Sequence, residues 1–199
     1  MASDTKERIL DAALTLFSQN GYEGTNLIDI AESVGLVKSG IYRHFSSKEE
    51  LWDTILSKME KYYNEEFGSE DNLPTIPTSG EELAEMTMNM VNFTIHDSSV
   101  IRVRKLIMIE QFRDERMKLL ATKHFLTGIE SIFERVFEEM MKNGSLRKDD
   151  ASMLALVYTA PITSLIHLCD REPEKREEIT QQIESFVKHF IKTYGKRAN

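Results

Sequence analysis

Apolar positions recur along this chain at helical spacing and almost nowhere at the two-residue spacing of a strand. From Thr5 to Asn20, the residues Ile9, Leu10, Ala13, Leu14, Leu16 and Phe17 mark one face of a first helix, which Asn20-Gly21 stops. A second stripe, Leu27, Ile30, Ala31 and Val34, follows Asn26. That residue stands as an N-cap, with Asp29 three positions on completing a pair like a capping box. Gly35 ends this helix, Leu36 and Val37 make a turn, and Lys38 to Phe45 form a short third helix pinned to a core by Ile41 and Phe45. Two helices joined by so short a turn are a helix-turn-helix. Ser46-Ser47 with Glu49 and Glu50 cap a fourth helix, whose apolar face is Leu51, Trp52, Ile55, Leu56 and Met59, running to about Phe67.

The stretch Gly68–Gly80, with Pro74 and Pro77 among serines, threonines and acids, loses all periodicity and reads as a loop. Beyond it the pattern is helical again: Glu81 to His96, Ser98 to about Phe112, and about Met117 to Lys142. The second of these is apolar on every side from Leu106 to Ile109, which places it centrally, and Asn143-Gly144 stops the third. Asp149 caps the next, from Asp150 to about Cys169, with Pro161 inside to kink it, and a last helix runs from about Pro173 to Tyr194. The expected class is all-α, about nine helices, with a small N-terminal domain over 1–47 and a larger helical domain over 48–199.

Composition adds the setting. At 199 residues, 41% apolar and 29% charged, the chain is of the globular type, with no stretch read as long enough to span a bilayer. Its first ten residues lack the pattern of a secretory signal, and the single cysteine, Cys169, rules out an internal disulfide. A cytoplasmic protein with no membrane partner is expected. The net charge of −8 is the wrong sign for a nucleic-acid binder, so placement decides. Lys38, Arg43, His44 and Lys48 gather on the third helix and the start of the fourth, and no acid intervenes between Ser33 and Lys48. A local basic surface on an acidic protein binds DNA without binding it promiscuously.

Three segments carry a family resemblance: the IL-AA-LF-NGY-T pattern from Ile9 to Thr25, the IA-VG pattern from Ile30 to Gly35, and IYRHFSSKEEL from Ile41 to Leu51. With them the chain resembles the TetR family of bacterial one-component transcriptional regulators, directly over roughly its first quarter. The resemblance implies an N-terminal three-helix DNA-binding domain, a variable ligand-binding and dimerising domain, and repression as the default. It assigns base reading to Lys38, Ser39 and Gly40, and phosphate holding to Tyr42, Arg43 and His44, with Asn26 and Lys48 at the adjacent helix starts. The physics agrees, since the N-terminal end of a recognition helix enters the major groove, where lysine and serine reach base edges. Val37 departs from the pattern: the family commonly has a serine or threonine capping the reading helix.

The expected partners are double-stranded operator DNA bearing an inverted repeat, a second copy of the chain, and an unidentified small-molecule effector that is mostly apolar or cationic. Activation, or regulation without a ligand, is the alternative within the same fold. Met90, Phe93, Met108, Phe112, Phe125 and Phe133 are candidates to line an effector pocket, and Glu110 to meet a cationic ligand, against core filling and a salt bridge to Arg113. Arg102, Arg104 and Lys105 read as a solvated face. Leu154, Tyr158, Ile162 and Leu165, with Ile183, Phe186, Val187 and Phe190, are the expected dimer stripes, forming a four-helix bundle across a two-fold axis. His96, His124, His167 and His189 make no metal pattern, and no nucleophile stands in a catalytic constellation. No metal, cofactor or enzymatic activity is expected.

Overall fold

The computed structural model describes residues 2–67 and 75–196 and is helical throughout, with a single isolated bridge, Leu146 to Gly195, among the described residues. In chain order the helices are α1 (Ala2–Asn20), α2 (Leu27–Ser33), α3 (Lys38–Ile41), α4 (Lys48–Phe67), α5 (Gly80–His96), α6 (Ser98–Glu110), α7 (Glu115–Thr122), α8 (Gly128–Lys142), α9 (Ala151–Arg171) and α10 (Arg176–Tyr194). A π turn, Lys123–Thr127, lies between α7 and α8, and a 3-10 turn, Pro173–Lys175, leads into α10. Of the loop expected over Gly68–Gly80, positions 68–74 lie outside the described residues.

The chain folds into two compact units. One comprises residues 1–66 and 98–118, the other 67–97 and 119–199, so position 47 lies inside the first. In the first, α1 contributes Ile9, Ala13 and Phe17, α2 Ile30 and Ala31, and α4 Leu51 and Trp52, all essentially without solvent exposure. Arg8 ties α1 to the end of α2, its Nη2 donating to the Val34 carbonyl at 2.9 Å. α6 packs along α1, where Arg102 donates to Thr15 Oγ1 and Asp11 Oδ1, each at 2.6 Å, and Arg104 is buried. Arg102 and Arg104 are therefore not on a solvated face: one bridges two helices and the other is inside.

The second unit is built on aromatic packing. Tyr158 meets Phe133, Phe137, Phe186 and Phe190 at ring-centroid distances of 4.5 to 6.0 Å, and its hydroxyl lies 2.7 Å from Thr87 Oγ1. Burial pushes the Tyr158 phenol up, and the Thr87 hydrogen bond offsets this in part. This arrangement places most of the expected dimer stripes inside one subunit. Leu154, Tyr158, Ile162, Ile183, Val187 and Phe190 are buried in the core of a single chain, with Leu165 and Phe186 half-buried against it. The six buried residues pack within one subunit's core, while Leu165 and Phe186 keep part of their surface open.

Smaller differences have local causes. α3 is one turn, followed by a turn at Tyr42–His44, where a helix to Phe45 was expected; its first turn has no side-chain cap and Gly40 is a poor helix former. Asp150, not Asp149, caps α9, its side chain accepting from the Met153 amide, and α9 continues through Pro161 to Arg171. α9 differs from the expectation that no stretch is long enough to span a bilayer. Its 21 residues are long and apolar enough to cross a membrane by length and composition only, as the core helix of a globular protein also can be. Its apolarity has two sources. Leu154, Ala155, Tyr158 and Ile162 turn into the core, while Met153, Leu156 and Val157 lie exposed.

Candidate nucleic-acid interface

The turn between α2 and α3 is set by backbone chemistry. Gly35 adopts φ +73°, a left-handed conformation that costs glycine nothing, and this lets the Leu36 amide return to the Ala31 carbonyl at 2.8 Å. α3 is then fixed from below by Ile41 and Phe45, at 0% and 1% exposure, with the Phe45 amide donating to the Ile41 carbonyl at 3.0 Å. With its inner side anchored there, Lys38, Ser39, Tyr42 and Arg43 all stand exposed, Gly40 and His44 half-buried. Lys38 Nζ lies 6.0 Å from the Tyr42 ring centroid.

Asn26 and Lys48 are differently placed. The Asn26 Oδ1 accepts from the Ile28 and Asp29 amides at 2.8 and 3.0 Å, and its Nδ2 donates to Asp29 Oδ2 at 2.7 Å, so the side chain is engaged in capping α2. Lys48 Nζ sits 4.1 Å above the Tyr22 ring, which packs with Phe17 and Trp52. Burial first, then the Glu49 carboxylate, pushes the Tyr22 phenol up. The cation is thus held at the root of α4, beside the reading helix. Next to it, Ser46 donates through both amide and hydroxyl to Glu50 Oε2, each at 2.6 Å, and Ser47 Oγ accepts from the Glu50 amide at 3.0 Å. The two Ser46 bonds, the hydroxyl first, hold the Glu50 carboxyl below the ordinary glutamate range.

Glu110, expected to meet a cationic ligand or Arg113, has a different partner. It is 3% exposed, and its Oε1 accepts from the Tyr22 amide at 2.9 Å, fastening the end of α6 to the turn between α1 and α2. Gly21, at φ +76°, fits only because it lacks a Cβ, which would stand 2.5 Å from that same oxygen. Its expected role toward a ligand or Arg113 is corrected accordingly: the carboxylate is spent on a backbone amide 88 residues away. Phe112, another pocket candidate, is 90% exposed because α6 ends at Glu110, leaving it in the following turn. Met108 also belongs to the first unit, whereas Met90, Phe93, Phe125 and Phe133 belong to the second.

A turn-linked pair of short helices, pinned from below and exposing cations along one edge, defines a helix-turn-helix DNA-binding regulator fold. Residues 9–55 match the profile described as bacterial regulatory proteins, tetR family, and residues 81–196 match the AefR-like transcriptional repressor C-terminal domain. The chain belongs to the TetR family and is a transcriptional regulator. It is 44% identical over 59 residues to IcaR, the negative transcriptional regulator of the biofilm operon icaADBC of Staphylococcus aureus; this spans 30% of the chain but only about a third, 32%, of that relative's length. Among solved structures, it is similar to SmeT, repressor of the Stenotrophomonas maltophilia multidrug efflux pump SmeDEF (TM-score 0.69, 21% identity, covering 97% of this chain and 91% of that one). It is also similar to a transcriptional regulator from Saccharomonospora viridis in complex with choline (TM-score 0.65, 19% identity, 98% and 100%). At these identities the structures speak for the fold.

Proposed function

We propose that this protein is a repressor that binds an inverted-repeat operator as a homodimer and is released by a small molecule, mostly apolar or cationic. The observation carrying the reading is the exposed edge Lys38, Ser39, Tyr42 and Arg43 on a helix anchored through Ile41 and Phe45. Lys38, Ser39 and Gly40 read bases in the major groove; Tyr42, Arg43, His44 and Lys48 hold phosphates, and Asn26 orients the start of α2 toward the backbone. Residues 1–47, with Lys48 at the next helix start, meet DNA and 48–199 carry effector and dimer surfaces, 48–66 and 98–118 being the parts of the latter that fold with the first unit.

Repression is supported by the repressor profile over 81–196 and by the negative regulator that matches the N-terminal part. A dimer is supported by α9, which exposes Met153, Leu156 and Val157 at 54%, 42% and 41%. These sit three and four residues apart on one face, the spacing by which a helix pairs with its copy. A small-molecule effector is supported by the half-buried Met90, Phe93 and Phe125 of the second unit, beside buried Phe133, and by neighbours of like fold holding triclosan and choline.

The test is fluorescence-anisotropy titration of the full chain against DNA from upstream of its own gene and a shuffled control, at rising salt. Replacing Lys38 and Ser39 together with alanine is expected to relax the preference for the specific DNA, while Tyr42→Ala weakens both DNAs alike. Unchanged affinity and preference in the Lys38/Ser39 double variant would overturn this reading of α3.

A further inference from the structure

Within the first unit, α6 grips α1 at two places. Arg102 reaches Asp11 and Thr15, and eight residues further along α6 Glu110 reaches Tyr22, so the two helices run in the same direction. At 1.5 Å per residue the ties stand roughly 12 Å apart along the axis. They differ in setting. Asp11 is exposed, whereas Glu110 is enclosed where α1 gives way to the turn that leads into α2.

Tyr22, the residue that Glu110 holds, carries one of the cations of the DNA head. Its ring packs against Phe17 and Trp52, at centroid distances of 5.6 and 4.9 Å, and Lys48 Nζ lies 4.1 Å from its centroid. A ring face holds an ammonium without neutralising it, so the charge stays available to a phosphate. The backbone around Tyr22 is closed as firmly. Its carbonyl accepts from the Thr25 amide at 3.3 Å, and the buried Thr25 donates through its hydroxyl to the Gly21 carbonyl at 2.9 Å. The Tyr22 amide is the other polar group of that residue's backbone, and Glu110 Oε1 takes it at 2.9 Å.

A buried carboxylate is a costly way to fill space, and an apolar side chain would do so at less cost. What the carboxylate supplies is a short, directional, charge-assisted bond to one backbone position. Gly21 makes room for it, since a Cβ there would stand 2.5 Å from the same oxygen. The tie therefore fixes where Tyr22 sits, and the ring of Tyr22 fixes where the Lys48 ammonium sits.

We infer that Glu110 is a positioning residue for DNA binding: it holds Tyr22 so that Lys48 meets a backbone phosphate. This rests on the reading of Lys48 as a phosphate contact in a DNA-binding head. The effect falls on affinity for all DNA alike, because a phosphate contact carries strength and register but no sequence. Sequence preference is left in place, since Lys38 and Ser39 are carried by a helix pinned separately through Ile41 and Phe45.

The test is anisotropy titration of the full chain against DNA from upstream of its own gene and a shuffled control, over a salt series, at a temperature where Trp52 fluorescence shows each variant folded. Lys48→Ala is the reference. Glu110→Ala is expected to weaken binding to both DNAs roughly tenfold. Like Lys48→Ala, it should lower the slope of log affinity against log salt by about 0.9 per head, and the double variant should lose no more slope than either single one. Glu110→Gln, which keeps an oxygen for the Tyr22 amide, is expected to bind within about twofold of wild type with the full slope. That rescue excludes a charge effect, which would tighten DNA binding in the alanine and glutamine variants alike. A smaller folded fraction would lower apparent affinity without changing the slope. Glu110→Asp, which keeps the charge and withdraws it by one methylene, is expected to show the same loss and serves if Glu110→Ala does not fold. Full affinity in the folded alanine or aspartate variant, a loss with the slope intact, additive slopes in the double variant, or a glutamine variant as weak as alanine overturns the inference and leaves the DNA reading standing. Full affinity and slope in Lys48→Ala overturns the phosphate reading of Lys48, and the inference with it.

Discussion

The two units open a long helix with the same device and then hold themselves together by different means. Ser46-Ser47 with Glu50 starts α4, and Thr78-Ser79 with Glu82 starts α5: in each pair the second serine accepts the glutamate's amide, and the glutamate returns to the amide and hydroxyl before it. Past the caps they diverge. The first unit is laced by polar ties between distant segments, Arg8 to Val34, Arg102 to Asp11 and Thr15, Arg116 to Asp53, and Glu110 to Tyr22. The second rests on rings packed at an angle around Tyr158. Directional ties give a DNA-reading head a fixed geometry at modest energetic gain, while apolar packing gives bulk stability and tolerates adjustment.

The largest expected effect tests the second half of that contrast. Phe137 is fully buried and packs against Phe133, Tyr158 and Phe190. Phe137→Ala should cost about 3–5 kcal/mol, as a large cavity in an aromatic core does. Guanidinium unfolding followed by far-ultraviolet circular dichroism measures it. A loss below about 1 kcal/mol would mean that the ring cluster is not what holds this unit.

An intermediate effect tests the polar ties. Glu110→Ala leaves the Tyr22 amide without its acceptor in a buried setting and should cost about 1–3 kcal/mol, with Glu110→Gln, which keeps an acceptor, costing less. Gly21→Ala should destabilise by two routes, the strained φ of +76° and the collision with Glu110 Oε1. Combined with Glu110→Ala it loses the second route, so the double variant should be less destabilised than the sum of the two singles. Trp52, the one tryptophan, sits in this unit and reports its unfolding by fluorescence. Strict additivity would show that the glycine and the carboxylate do not meet.

The same contrast explains what the sequence disclosed. Helix positions and the helix-turn-helix were legible because local periodicity and Gly35 are local signals, and the capping pair at Asn26 and Asp29 appears as expected. Periodicity shows that Tyr158, Ile183 and Phe190 are buried without showing what buries them; here one chain's own core covers each. The exposed Met153, Leu156 and Val157 interrupt no pattern and carried no signal of their own. Glu110 was seen as a carboxylate after an apolar run, but its partner is a backbone amide, a group every residue has.

The smallest effect concerns the feature both units share. Glu50 is held below the ordinary glutamate range by the Ser46 hydroxyl and then the Ser46 amide, and Glu82 by the Thr78 amide and then the Thr78 hydroxyl. Both carboxyls are solvent-exposed, so each contributes little. A carboxyl depressed in the folded state binds protons more weakly there than in the unfolded chain. Its stabilising contribution is complete above the unfolded value, about 4.3 for glutamate, and drains away as pH falls through the lower folded value. Melting temperature should therefore decline from pH 6 to pH 3, and Glu50→Gln or Glu82→Gln should each make that decline shallower. In the first unit the change should appear in Trp52 fluorescence. If the Glu50→Gln and wild-type curves ran parallel, the α4 cap would contribute no proton-linked stability, and the likeness between the two helix starts would be one of geometry alone.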